Sequence, residues 1–280
     1  MTEIPTSDVL SVEREGHIAV IWLDREEQRN AFGPALWADF PDVVDALSAD
    51  DEVRVIVVAA RGPAFTVGLD LKAFGPLLVG GPAVDEDAPS SVTARMARYE
   101  MVKRMQRTFS SLALSPKPVI AAVHSFCIGA GVDLITACDI RYAAADAVFS
   151  IRETKLAIVA DVGTLQRLPT IVHPGAAAEV VYTGKDFGAD EAQAMGLVTR
   201  VLPDREAVIK HALEVAGEIA ANSPLAVQGA KHIMRNGDAM TIEQQLDYVA
   251  LWNAAFLDSS DLNEAITAFT ERRSARFRGR

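Results

Sequence analysis

The stretch from Lys117 to Thr164, KPVIAAVHSFCIGAGVDLITACDIRYAAADAVFSIRETKLAIVADVGT, constrains this chain more than any other. Its apolar run from Pro118 to Val123 has the character of a buried strand. Gly129-Ala130-Gly131 then marks a turn, and Val132 to Cys138 could begin a helix just beyond it. Glycines at a strand-to-helix junction allow a tight turn and a close backbone approach to a ligand. The first N–H groups of a helix have no internal acceptor, so they are free to face an oxyanion. Asp133, Glu153 and Asp161 follow among apolar neighbours. An isolated ionised carboxylate in such surroundings is costly, so these acids need partners or a task. An anion-binding turn followed by such acids predicts proton chemistry beside a polarised carbonyl.

The rest of the composition sets limits. Half of the 280 residues are hydrophobic, enough for a sizeable core. The net charge of -11 disfavours binding to nucleic acid, which calls for a basic face. No uninterrupted apolar run approaches the roughly 20 residues of a membrane span. Cys127 and Cys138 have neither CxxC spacing nor companions, so they are expected as small buried core residues. No His-Glu or Cys cluster points to a metal. The first residues are polar and acidic without the pattern of a leader, and the final Arg-Gly-Arg is no peroxisomal address. A cytoplasmic protein is the expectation.

In chain order, strands are predicted over Ser11 to Arg14, Ile18 to Leu23 and Val53 to Ala60, with a helix from Pro34 to Leu47 between them. Pro34 sits where a first helical turn tolerates proline. Arg61 to Lys72 reads as a glycine-containing loop that turns into a helix, and residues 75–91 as a surface loop rich in Gly, Pro, Asp and Ser. Val92 to Leu114 is predicted as one long helix. Its stripe of Met96, Tyr99, Val102, Met105, Gln106 and Phe109 is expected in the core, with a fatty-tail pocket as the alternative. Short helices are expected over Thr164 to Val172, Gly175 to Tyr182 and Asp190 to Met195, then a strand over Leu197 to Leu202. From Asp204 the pattern is helical throughout, with Ser223 a candidate cap and Thr241 opening a capping box. Mixed strands and helices followed by helices alone imply an α/β core, residues 1–203, and a helical C-terminal region, residues 204–280.

Several motifs carry a family resemblance. Phe65-x-x-Gly68-Leu69-Asp70-Leu71-Lys72, Lys117-Pro118 through His124, Gly129-Ala130-Gly131, Cys138-Asp139-Ile140-Arg141 and Ala194-Met195-Gly196-Leu197-Val198 resemble the crotonase superfamily of enoyl-CoA hydratases and isomerases. Their order and spacing match over roughly residues 10 to 275. Residues 131–142, 160–169 and 246–253 are further similar to the Δ3,5-Δ2,4-dienoyl-CoA isomerase branch, whose site holds an Asp, a Glu and a second Asp spaced as Asp133, Glu153 and Asp161 are here. A hydratase of the superfamily uses two glutamates, at the positions of Asp133 and Glu153, to activate water. The shorter Asp133 and the additional Asp161 favour the isomerase.

The resemblance implies a crotonase-like spiral of ββα units whose C-terminal helices drive assembly into trimers or dimers of trimers. It implies an acyl-CoA substrate, with CoA present only as part of that substrate and no separate cofactor. Glu153 and Asp161 would share the acid and base roles, in either order, with Asp133 tuning the pair. Backbone N–H groups of Leu69 and Ala130 would form the oxyanion hole. Val67, Gly68, Asp70, Leu71, Lys72 and Gly131 would line the thioester and pantetheine path, and Arg25 and Lys72 would meet the CoA phosphates. Each residue also has a plainer alternative: Asp133 favouring a helix dipole, Glu153 paired with Arg152, Asp161 in an ordinary turn or cap, His124 a hydrogen-bonded core residue, and the basic tail a solvated helix end. The competing functions are an enoyl-CoA hydratase, another CoA reaction on an unusual acyl group, and a non-catalytic acyl-CoA-binding subunit.

Overall fold

The computed structural model describes residues 3–78, 92–237 and 240–280. Strands β1 (Leu10–Glu15), β2 (Ile18–Leu23), β3 (Val55–Ala60), β4 (Val119–Val123), β6 (Ile140–Ala144) and β9 (Arg200–Leu202) form one sheet in the order β1-β2-β3-β4-β6-β9. Only the β1–β2 pair in this sheet is antiparallel. A second sheet stands beside it, made of β5 (Phe126–Ile128), β7 (Val148–Ser150) and β8 (Asp186–Gly188) in the order β5-β7-β8. This is the α/β architecture expected from the sequence, with strands and connecting helices winding through both sheets.

Strands β2, β3 and β4 are buried at every position, which is why they read as unbroken apolar runs rather than as alternation. One face of the large sheet packs Ile21, Leu23, Ile56 and Val58 against helices α1 (Pro34–Ala49) and α3 (Val92–Leu114), around a cluster of Phe32, Trp37, Phe40 and Phe109. Pro41 lies inside α1 and cannot donate to the Trp37 carbonyl one turn back. Thr108 of α3 donates its hydroxyl to that carbonyl instead, at 3.1 Å, so the proline also ties the two helices together.

The opposite face carries Val20, Trp22, Val55, Val57 and Ile120 and is covered by α8 (Arg205–Ala220). This helix presents Val208, Ala212, Ala216 and Ala220 at four-residue spacing, and the three alanines allow its backbone close to the sheet. The helical region expected from residue 204 therefore begins with a helix that shares the sheet's core. Helices α9 (Pro224–Gly237), α10 (Ile242–Phe256) and α11 (Ser260–Glu271) complete the chain. The Thr241 capping box forms with Gln244. Ser223 donates its hydroxyl to Asp261 at 2.7 Å, and Asp261 also accepts the N–H groups of Arg278 and Gly279, folding the basic tail back over α11.

Two expectations need correction. The stripe on α3 is not a uniform core face: Phe109 is fully buried, but Met96 is 54% and Tyr99 58% exposed. The segment predicted as a loop over 75–91 starts inside a helix, α2 (Leu71–Leu78), and residues 79–91 lie outside the described residues. Helices α4 (Ala130–Thr136) and α7 (Ala189–Ala194) connect the two sheets, and α5 (Thr164–Ile171) and α6 (Pro174–Thr183) lie between β7 and β8 of the small one. Among the described residues, no helix is long and apolar enough to cross a membrane.

Candidate active site

Two loops meet between the sheets. The residues preceding α2 run alongside β5: Thr66 N–H donates to the Phe126 carbonyl at 2.8 Å, and Ile128 N–H donates to the Thr66 carbonyl at 3.1 Å. The Thr66 hydroxyl donates to the Asn30 carbonyl at 2.6 Å and accepts the Gly68 N–H at 3.1 Å. Gly68 has φ +85, and a Cβ there would lie 2.6 Å from the Ile128 carbonyl oxygen. Gly129 adopts φ 53, ψ -113, so the chain turns sharply from β5 into α4. Ala130 is the first residue of α4, so its N–H has no acceptor within the helix. Among the described residues, neither the Leu69 nor the Ala130 N–H donates a hydrogen bond. Both residues line one cavity of about 290 Å³.

All three acids border that cavity. Asp133, in the first turn of α4, is 1% exposed; Oδ1 accepts the Thr164 N–H at 2.6 Å, while Oδ2 has no partner. Burial pushes its carboxyl up to about 6, against the opposing hydrogen bonding from Thr164 and the field of Arg167. Glu153 stands in a single 3-10 turn, Arg152–Leu156, pinned by Ile158 N–H on the Glu153 carbonyl at 2.9 Å. Its Oε2 is buried without a partner. Burial first, and the neighbouring Asp133 second, lift Glu153 to about 7. Arg152, the expected surface partner of Glu153, instead pairs with Asp186 at 2.6 Å. Asp161 stays open to solvent at the rim; partial burial raises its carboxyl, with its own N–H pulling the other way.

The other walls are mostly apolar, with Trp37, Met101, Val102, Met105, Leu156, Ile158 and Val162, and carry Arg152 and Lys155 beside the Glu153 turn. Thus the middle of the α3 stripe lines a pocket, its C-terminal part is core, and its N-terminal part is exposed. Of the remaining residues singled out from sequence, Val67, Gly68 and Leu71 reach the cavity. Gly131 does not: a Cβ there would press on Thr66 Cγ2 at 2.6 Å, so this glycine lets α4 pack against the first loop. Asp70 accepts the N–H groups of Lys72 and Ala73, both at 3.1 Å, capping α2. Partial burial opposes its ionisation, but these bonds and the Arg25 guanidinium hold its carboxyl below the usual range. Arg25 bonds Asp70 at 3.0 Å and the Ala31 carbonyl at 3.1 Å, and so braces the first loop. Lys72 is exposed on the first turn of α2, away from the cavity wall.

Sequence reasoning passed over Thr164, whose N–H fixes Asp133, and Asn30, which is fully buried and donates to the Arg61 and Ala64 carbonyls. The positive φ of Arg29 and Asn30 gave no apolar pattern to find. His124 is buried and hydrogen-bonded to the Gly62 carbonyl, and both cysteines are buried and free, as expected.

A stability consequence follows from Asp133. Its carboxyl is raised in the folded state, so between the unfolded value of 3.8 and about 6 the native protein binds more protons than the unfolded chain, and stability falls as pH rises. Asp133→Asn removes that ionisation while keeping an oxygen for the Thr164 N–H. The variant is expected to be more stable than wild type by about 1–3 kcal/mol at pH 8, converging towards wild type near pH 4. Urea unfolding at both pH values checks this; an equal difference at the two would show that ionisation of Asp133 is not the cause.

The enoyl-CoA hydratase/isomerase family model matches residues 13–280. The mitochondrial Δ(3,5)-Δ(2,4)-dienoyl-CoA isomerase of Dictyostelium discoideum is 40% identical over 261 residues, covering 93% of this chain and 87% of that protein. The peroxisomal enzyme of the same name from Arabidopsis thaliana is 38% identical over 277 residues, covering 99% and 98%. The crystal structure of an enoyl-CoA hydratase from Bacillus anthracis superposes with a TM-score of 0.87 at 31% identity, covering 98% of this chain and all of that one. With a matching fold and a family pattern along nearly its whole length, the chain belongs to the enoyl-CoA hydratase/isomerase family.

Proposed function

We propose that the protein is an isomerase that converts 3,5-dienoyl-CoA into 2,4-dienoyl-CoA, with Glu153 and Asp161 as the two proton carriers. The observation that carries this is three acids in unequal surroundings on one cavity that also holds two free backbone N–H groups. A base removes the C2 proton. The released pair forms C2=C3, the C3=C4 pair moves to C4=C5, and the C5=C6 pair takes a proton at C6 from the acid. In the intermediate dienolate the charge gathers on the thioester oxygen, where the Leu69 and Ala130 N–H groups would stabilise it.

The electrostatics suit a divided labour. Carboxyls this close in a low-dielectric pocket do not all ionise together, so near neutral pH one is charged while a neighbour keeps its proton. Asp133 contributes negative field that helps hold Glu153 near 7. Each turnover leaves acid and base exchanged, and a proton then returns through the cluster or the solvent at the rim.

The apolar wall fits an acyl chain, and CoA enters as part of the substrate with no further cofactor in the scheme. Homotrimers, single or paired, are part of the same proposal. Large apolar side chains exposed on the last helices, among them Ile242, Leu251 and Phe269, support self-association through this region. The setting proposed is cytoplasmic, unlike that of the mitochondrial and peroxisomal relatives.

Ultraviolet assays of purified protein with 3,5-dienoyl-CoA and, separately, a 2-enoyl-CoA test the function. A conjugated 2,4-dienoyl product should appear with wild type and fall about 100-fold or more in Asp161→Asn, the usual scale for loss of a positioned acid or base. Loss of the 2-enoyl chromophore at a rate unchanged by Asp161→Asn would make the protein a hydratase instead.

A further inference from the structure

Asp161 lies in a segment without regular structure, between Ala157 at φ 57 and Gly163 at φ 138. Among the described residues, no side-chain donor reaches its carboxylate, so its placement depends on the backbone that carries it. That backbone is tied across the cavity rim. Gln106 of α3 donates from Nε2 to the Asp161 carbonyl at 2.8 Å. The orientation of the amide follows from its other contact: Lys103 Nζ bonds Gln106 Oε1 at 3.0 Å. An ammonium can only donate, so it must meet the amide oxygen, which leaves the NH₂ group for Asp161. Gln106 follows Met105 directly and lies one turn beyond Val102, both in the cavity wall, yet it does not line the cavity itself.

We propose that Gln106 is a positioning residue for Asp161: it fastens the acid-bearing segment to the helix that forms the acyl wall and so sets one of the two proton transfers. The inference rests on the two-acid isomerase function proposed above. It assigns Gln106 no contact with substrate. Without this bond the segment between Ala157 and Gly163 loses its direct hydrogen bond to α3, leaving the longer link through Arg167, which donates to the Val162 carbonyl at 3.5 Å and to the Ser110 hydroxyl at 3.1 Å, and Asp161 drifts from the carbon it serves. Glu153 is held separately by its own 3-10 turn, which Arg152 ties to Asp186 and the Thr154 hydroxyl ties to the Val181 carbonyl at 3.0 Å, so the transfer at the other carbon is left in place.

The test reads the two transfers separately. In deuterated buffer, exchange is followed at C2 of 3,5-dienoyl-CoA and at C6 of 2,4-dienoyl-CoA, for wild type, Asp161→Asn, Gln106→Leu and Gln106→Glu. Gln106→Leu keeps bulk but cannot donate; Gln106→Glu keeps length and turns an acceptor towards the carbonyl. Both are expected to lose about 10- to 100-fold at the carbon where Asp161→Asn loses exchange, the scale of a misplacement near 1 Å, with the other carbon within about twofold of wild type. A Gln106 variant slowed equally at both carbons, or at neither, would overturn the inference while wild-type exchange leaves the isomerase function standing. Wild type that exchanges at neither carbon would overturn that function and this inference with it.

Discussion

Glu153→Gln is expected to lower kcat for dienoyl-CoA isomerisation by roughly three orders of magnitude, within the range for loss of a positioned acid or base. The amide keeps the shape of the carboxyl but can neither take nor give the proton. Glu153 is the acid best placed for both duties, because its carboxyl titrates near 7 and keeps one oxygen buried without a partner. A group poised near the working pH supplies both protonation states with little driving force lost. KM should change little, since the acyl wall and both backbone donors stay in place. The fold should not suffer, because burial disfavours the ionised carboxyl and the amide puts no charge in its place. Steady-state kinetics with a thermal melt decide the matter: near-normal turnover in a well-folded Glu153→Gln protein would remove Glu153 from the chemistry.

Gly68→Ala should cost both activity and stability. Its backbone sits at φ +85, which a side chain adopts only under strain, and the new Cβ would lie 2.6 Å from the Ile128 carbonyl oxygen. That oxygen belongs to β5, and Ile128 is also bonded to Thr66, so the clash cannot be relieved by turning a flexible side chain. The loops bearing the Leu69 and Ala130 N–H groups must separate. Misplacing one donor of an oxyanion hole typically costs about 100- to 1,000-fold in kcat, and the strained backbone adds about 1–3 kcal/mol of destabilisation. The loss should fall on kcat more than on binding of the CoA portion. A variant with wild-type kcat would show that these two N–H groups do not stabilise the transition state.

Much of this was legible because it is local. Strand β2 spans Ile18–Leu23 and helix α3 spans Val92–Leu114, as their patterns predict. Strands β5, β7 and β8 have three residues each, too few to display a period, and so passed unnoticed. The strand expected over Leu197 to Leu202 shrinks to Arg200–Leu202, because Leu197 and Val198 are buried in the turn after α7. The α3 stripe shows the limit most clearly. Periodicity identifies an apolar face, but whether Val102 and Met105 meet other side chains or a cavity depends on distant segments.

For the site, the family resemblance, with the spacing of Asp133, Glu153 and Asp161 and the glycines at 68, 129 and 131, singled out acids and two loops that the fold brings to one cavity. Local propensity and pattern are properties of neighbouring residues, so the chain alone indicated the longer elements, the family and three candidate acids. Only the tertiary structure decided which N–H groups remain free, which oxygens of Asp133 and Glu153 lack partners, that Arg25 and Asp70 brace one another, and that Gln106 reaches Asp161. Those outcomes depend on desolvation and on contacts between residues far apart in sequence, and a carboxyl's proton affinity is set by everything the fold brings around it.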